Sequence, residues 1–276
     1  MAATIIDEDL STRINTSSHF LLDLETDFDC EEDWAKAKQE EYRVKLPARV
    51  SFLAKWMKRI QGGEVGLEPM WSQGKEAAAY LHEKGIDYLW HFTDIRNLVP
   101  IQREGGLLSW AGLKALGITD SHMHANEKSL SCDEQLGRED FVRLSFIPNS
   151  FFFQRLYRNT RYRLVWLRFS TKALRLGEVS YCLGNAASSY STPKDNLHSI
   201  GIDWRIVKQF SDRHTSEKGP TYYPRLYRDE VGDDMLFRKI KNTWNSEILI
   251  KHYLPLQFCT RIFDGRTGER IKFYEL

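Results

Sequence analysis

The fold is constrained most by a set of short aromatic and β-branched segments that begins after Gly85 and does not alternate regularly with helices. Residues 86–93 (IDYLWHFT), 141–147 (FVRLSFI), 161–169 (RYRLVWLRF), 246–253 (SEILIKHY) and 257–263 (QFCTRIF) have the length and composition of strands, bounded by turn residues or charge. Residues 264–268 read as a turn into a last strand at 271–274. Helical patterns lie around these segments. Residues 95–104 (IRNLVPIQRE) predict a short helix ended by Gly105 and Gly106, and 203–210 another capped by Asp203. Upstream, 74–84 predict a helix closed by Gly85. Between 31 and 60, apolar residues from Trp34 to Ile60 recur at three- and four-residue intervals, broken at Pro47 and ended by Gly62 and Gly63. Residues 177–202 read as a long structured loop, and 211–233, with Pro220, Pro224 and dense charge, as an exposed one. Strands gathered behind a helical start predict an α+β fold and not a βαβ repeat.

Length and composition then narrow the class. A chain of 276 residues suits one large domain, or a domain with an extension, at about 100 to 200 residues per domain. No run approaches the roughly 18 consecutive apolar residues of a spanning helix, and the start does not read as a secretory signal. Cys30, Cys132, Cys182 and Cys259 share no C-x-x-C spacing. The expectation is a reduced, cytoplasmic protein without a membrane partner. Neither G-x-G-x-x-G nor a P-loop nor G-x-S-x-G is present. His122 and His124, with Cys132 or Asp133 nearby, come closest to a metal set, but they read better as solvated loop residues, and no metal is expected.

The formal net charge of +1 conceals a split. Residues 1–33 hold ten acids and one base, a net of −9, which leaves +10 for residues 34–276. Between 154 and 177 there are seven bases, Arg155 and Arg158 among them, and no acid, with Tyr157, Tyr162, Trp166 and Phe169 interleaved. Cations that track phosphates and aromatics that stack bases make single-strand-binding grooves. Strand alternation predicts instead that these aromatics are mostly core, with Arg161 and Arg163 exposed.

Isolated polar residues on strands supply the chemistry. His91 and Thr93 lie two apart and share a strand face, with Asn97 four further on, and Glu247 opens an apolar strand. On periodicity alone, a charge at such an edge is as often a solvated end. Taken in order, His91-Phe-Thr93-Asp-Ile-Arg-Asn97 with Gly105-Gly106-Leu-Leu-Ser109, Asp140-Phe-Val142-Arg143-Leu-Ser-Phe146-Ile-Pro148, Gly184-Asn185-Ala186-Ala187-Ser188, Ile202-Asp203-Trp204, and Ser246-Glu247-Ile-Leu-Ile250 with Pro255 resemble the DarT family of NAD-dependent nucleic-acid ADP-ribosyltransferases.

That resemblance runs from about Tyr88 to Phe263. It implies an ADP-ribosyltransferase domain over 86–276 with a split β-sheet core, behind an acidic leader and helical N-terminal extension over 1–85. It further implies NAD as ADP-ribose donor and a nucleobase in single-stranded DNA as acceptor, thymidine favoured and RNA the alternative. A toxin of a toxin–antitoxin or phage-defence system, partnered by an antitoxin protein with or without a chaperone, is the implied setting. A non-catalytic binding module of the same fold is the competing class. By position, Glu247 matches the catalytic glutamate, His91, Thr93 and Asn97 match residues that hold NAD, and Phe146 matches an aromatic beside the nicotinamide. The assisting arginine falls among Arg143, Arg138 and Lys128, with Arg143 taken as the candidate. Arg155, Arg158, Tyr223 and Arg225 are the candidate nucleic-acid contacts, the last two in the loop preceding Glu247.

Overall fold

The computed structural model of the chain describes residues 72–118, 122, 127–148, 153, 156–157, 162–176, 178–188, 190–211 and 232–272. In chain order its strands are β1 (Tyr88–Asp94), β2 (Gly106–Leu108), β3 (Phe141–Ser145), β4 (Leu164–Ser170), β5 (Val179–Cys182), β6 (Glu247–Lys251), β7 (Tyr253–Pro255), β8 (Cys259–Asp264) and β9 (Arg270–Ile271). The helices are α1 (Ser72–Glu83), α2 (Leu98–Arg103), α3 (Trp110–Ala115), α4 (Glu127–Gln135), α5 (Trp204–Ser211) and α6 (Asp234–Trp244). Seven strands form one antiparallel sheet in the order β5-β6-β3-β1-β4-β8-β9, and β2 pairs with β7 in a second, two-stranded sheet. The α+β reading holds.

Both faces of the β1-β4-β8 half are covered, which is why β4 reads as an almost continuous apolar run. Val165, Leu167 and Phe169 enter the main core with Leu144, Ile248 and Ile262, while Leu164 and Trp166 enter a second cluster with Trp90, Phe153 and Phe263. Trp166 is fully buried and donates its indole N–H to the Pro148 carbonyl at 2.8 Å, whereas Arg163 is exposed beside Asp264. Arg168, counted in the basic run, is buried: its guanidinium lies 4.0 Å from the centre of the Tyr88 ring, and Nε donates to Thr260 Oγ1 at 2.9 Å. It therefore has no phosphate to meet. Helix α1 also belongs to this core, through Ala77 and Leu81.

Elements depart from the sequence reading at several places. The single strand expected at 246–253 is two, because His252 takes φ 67° and its amide donates to the Asp140 carbonyl at 2.6 Å, turning the chain from β6 into β7. β5 lies inside the stretch read as loop, and α6 follows the segment read as an exposed loop. Gly106 serves β2 as well as ending a helix: a Cβ there would stand 2.4 Å from the Leu254 carbonyl oxygen across the β2-β7 pair.

Strand pairing in the main sheet is uneven, and this places the site. β1 pairs with β4 along all of Tyr88 to Asp94, and β3 with β6 along all five residues of each. Between β1 and β3 only Trp90 and Ser145 are paired. The sheet is split there.

Candidate active site

Past Trp90, where β1 leaves β3, a side chain replaces the ladder. His91 Nδ1 lies 2.9 Å from the Arg143 carbonyl oxygen. A carbonyl only accepts, so Nδ1 carries the proton in this contact. Burial lowers the imidazole pKa, and the bond to the Arg143 carbonyl opposes it in part. The ring is therefore biased to its neutral form, with Nε2 as an acceptor. Thr93 shares the cleft, and its Oγ1 accepts from Asn97 Nδ2 at 2.8 Å. The same amide group donates to the His122 carbonyl at 2.9 Å, while Asn97 Oδ1 accepts the His122 amide at 2.6 Å. Asn97 thus spends both amide protons on the protein, fixing the Thr93 hydroxyl and anchoring the segment at His122. Thr93 keeps its own proton to donate. These residues line a cavity of about 300 Å³ together with Ile101, Leu107 and Trp110, which is within the usual span of small-molecule sites.

Glu247 closes the cleft from the other half of the sheet. It pairs with Ser145 on β3 and Cys182 on β5, so its carboxylate stands among three strands and not at a frayed end. Oε2 accepts the Ala186 amide at 2.7 Å, and Arg143 Nη1 stands 3.7 Å from the same oxygen. Arg143 Nη2 bonds Asp133 Oδ1 at the end of α4. One guanidinium therefore faces two half-sunk carboxylates. Burial pushes the Glu247 carboxyl above its ordinary range, and the Arg143 charge and then the Ala186 amide pull it back. Asp133 is raised by burial in the same way, against the same arginine.

The structure thus brings His91, Thr93, Asn97, Arg143 and Glu247 to one cleft. Phe146 is not there. It is fully buried in the main core, with its ring edge-on to Trp204 at 5.5 Å. The reason is strand alternation: Ser145 shares its face with Glu247, so the next residue turns away. Arg155, Arg158, Tyr223 and Arg225 lie outside the described residues, as do His124 and Lys128 as a side chain.

Two participants escape the sequence reading, and a third has a different place from the one it offers. Asp133 sits on a helix without a strong pattern, and the sequence offers it only as a metal ligand. The Ala186 amide carries no residue identity that a sequence could reveal. Arg138, one of the cations left open, does not reach Glu247; it is buried and clamps the carbonyls of Ala186, Ser188 and Ser191.

Known proteins supply an independent comparison. A family model described as "ssDNA thymidine ADP-ribosyltransferase, DarT" matches residues 90–267. No curated protein matches. Among solved structures the chain is similar to Thermosipho africanus DarTG in complex with ADP-ribose, at 19% identity and a TM-score of 0.45, covering 64% of this chain and 44% of that one. It is also similar to Thermus sp. 2.9 DarT in complex with NAD+, at 16% identity and a TM-score of 0.44, and in complex with ADP-ribosylated ssDNA, at 16% and 0.45; each covers 65% of this chain and 82% of the other. The chain spans less than half the length of the DarTG chain. Because the family model takes in well over half of the 276 residues, and every cleft residue named above lies within 90–267, the chain belongs to the DarT family of single-stranded-DNA thymidine ADP-ribosyltransferases.

Proposed function

We propose that the cleft takes NAD and transfers its ADP-ribose to thymidine in single-stranded DNA, with Glu247 as the catalytic carboxylate. The setting of Glu247 carries this reading: a carboxylate among three paired strands, held on Oε2 by the Ala186 amide and faced by the Arg143 guanidinium. Bound NAD supplies an electrophilic ribose carbon when its nicotinamide glycosidic bond breaks. The chain's own groups do the rest. In its ionised form Glu247 stabilises the positive charge that develops on that sugar, and it accepts the proton of the attacking base nitrogen. Arg143 opposes the burial that raises the Glu247 pKa and so favours the carboxylate form. His91 Nε2 accepts from a ribose hydroxyl, and the Thr93 hydroxyl donates alongside it.

In this reading Arg155 and Arg158 contact phosphates, and Tyr223 and Arg225 grip the base. Residues 86–276 form the transferase domain and 1–85 an extension to it, whose helix α1 packs into the core of that domain. The protein works in the cytoplasm as the toxin of a toxin–antitoxin or phage-defence system, held by an antitoxin protein.

The test is transfer itself. Incubated with NAD and defined DNA and RNA oligonucleotides, the protein adds the mass of ADP-ribose to thymidine-containing DNA, and nucleoside mass spectrometry finds it on thymidine. Glu247→Ala lowers transfer by at least about 10²-fold with an unaltered circular dichroism spectrum. Mass on the RNA alone would reassign the acceptor, and wild-type transfer by Glu247→Ala would remove the carboxylate from the chemistry.

A further inference from the structure

The loop that follows β5 is tied down at several points. Gly184, at φ 86°, donates its amide to Ser246 Oγ at 3.2 Å, directly beside Glu247. The Ala186 amide holds Glu247, and the Ala187 amide bonds Asn185 Oδ1 at 2.7 Å. Two consecutive turns follow, with Ser188 N–H on the Asn185 carbonyl and Ser191 N–H on the Ser188 carbonyl, both at 3.0 Å. Arg138 clamps three carbonyls from beneath, and Ser191 Oγ donates to the Leu183 carbonyl at 3.2 Å, closing the base. Ala186 and Ser191 are buried, yet Tyr190 at the tip of the second turn is 97% exposed.

A single exposed aromatic is ordinary on a protein surface. Position distinguishes this one. Tyr190 lies four residues from Ala186, at most about 14 Å of extended chain, and Asn185 of the same loop lines the catalytic cavity. An acceptor strand that presents one base to Glu247 must carry its neighbours past this loop. Every base has a π-face, so a rigid aromatic stacks any of them at small ordering cost.

The geometry points to Tyr190 as a stacking platform for a base flanking the acceptor in a single-stranded nucleic acid, held in place by the Arg138-clamped loop. This rests on the reading that the cleft modifies such a strand. The ring does the binding, and the hydroxyl has no part in it.

Binding of a fluorescent, thymidine-containing DNA oligonucleotide, followed by anisotropy on the full chain, tests it separately from transfer. Tyr190→Ala loosens Kd by about tenfold, whereas Tyr190→Phe stays within about twofold. The oligonucleotide KM follows Kd while the KM for NAD does not. The side chain is exposed, so both variants keep the wild-type melting temperature. Wild-type Kd in Tyr190→Ala, or an equal loss in Tyr190→Phe, overturns the platform. If binding depends on the ring but NAD adds no mass to the oligonucleotide, the platform stands and the transfer reading falls.

Discussion

Arg143 holds the most exacting position at the scale of single residues, because it touches both Asp133 and the oxygen of Glu247 that the Ala186 amide also holds. If catalysis needs ionised Glu247, activity falls on the acid side as that carboxyl protonates, at a pH above the ordinary carboxylate range. In Arg143→Gln the largest opposing influence is lost and Asp133 is left unbalanced, and both effects raise the Glu247 pKa further. The acid limb of kcat/KM therefore moves to higher pH, and kcat falls by about 10²-fold. A pH-rate profile checks this, since a merely structural arginine would lower the rate without moving the limb. Strand alternation makes His91 and Thr93 legible as sharing a face, whereas Glu247 is legible only through the family resemblance, because periodicity alone fits a solvated strand end as well. Phe146 was misplaced although the same alternation, counted from the Ser145 that pairs with Glu247, turns it into the core. Asn97 lines the cleft with its amide group spent on Thr93 and His122.

Among the elements, the decisive event is a pairing that stops. β1 and β3 are adjacent in the sheet, yet one residue pair joins them, and the His91 ring takes the Arg143 carbonyl where a ladder would have continued. Segment composition reveals strands, but it does not reveal where two neighbours part, because that depends on register across a separation of about fifty residues. β5 was hidden for a related reason: four residues in a stretch rich in glycine and serine gain their strand character from pairing with β6. Helix α6 does carry an amphipathic pattern, with Leu236, Phe237, Ile240 and Trp244 at helical spacing, and Asp233 caps it through the Met235 and Leu236 amides. The α5 cap was legible, and it does more than cap. Asp203 accepts the Arg205 amide at 3.1 Å and bonds Lys239 on α6 at 2.8 Å, tying the two helices that precede β6. The Arg205 and Lys239 partners hold its carboxyl well below the ordinary range. Asp203→Ala is expected to cost about 1 kcal/mol through the lost cap, a fall in melting temperature of about 2–4 °C. A calorimetric scan at neutral pH measures it, and an unshifted melt would show that the cap contributes nothing to the fold.

For the whole molecule, the question is what a near-neutral chain gains from being assembled out of opposite charges. Residues 34–276 carry a net of +10, which suits a catalyst whose proposed substrate is a polyanion, while residues 1–33 carry −9 and bring the total to +1. A leader of that sign competes with phosphates for the basic body whatever conformation it takes, because the attraction depends on charge and separation and is screened by salt. Its removal raises the net charge from +1 to +10 without touching any cleft residue. Deleting residues 1–33 is therefore expected to tighten oligonucleotide binding by about threefold or more at about 50 mM salt, with the difference shrinking as salt rises toward about 200 mM. Titrations of both chains across that range decide the matter. A gain that persists at high salt would mean that the leader blocks the cleft by contact and not by charge, and no gain at low salt would leave the leader to solubility or to a partner protein.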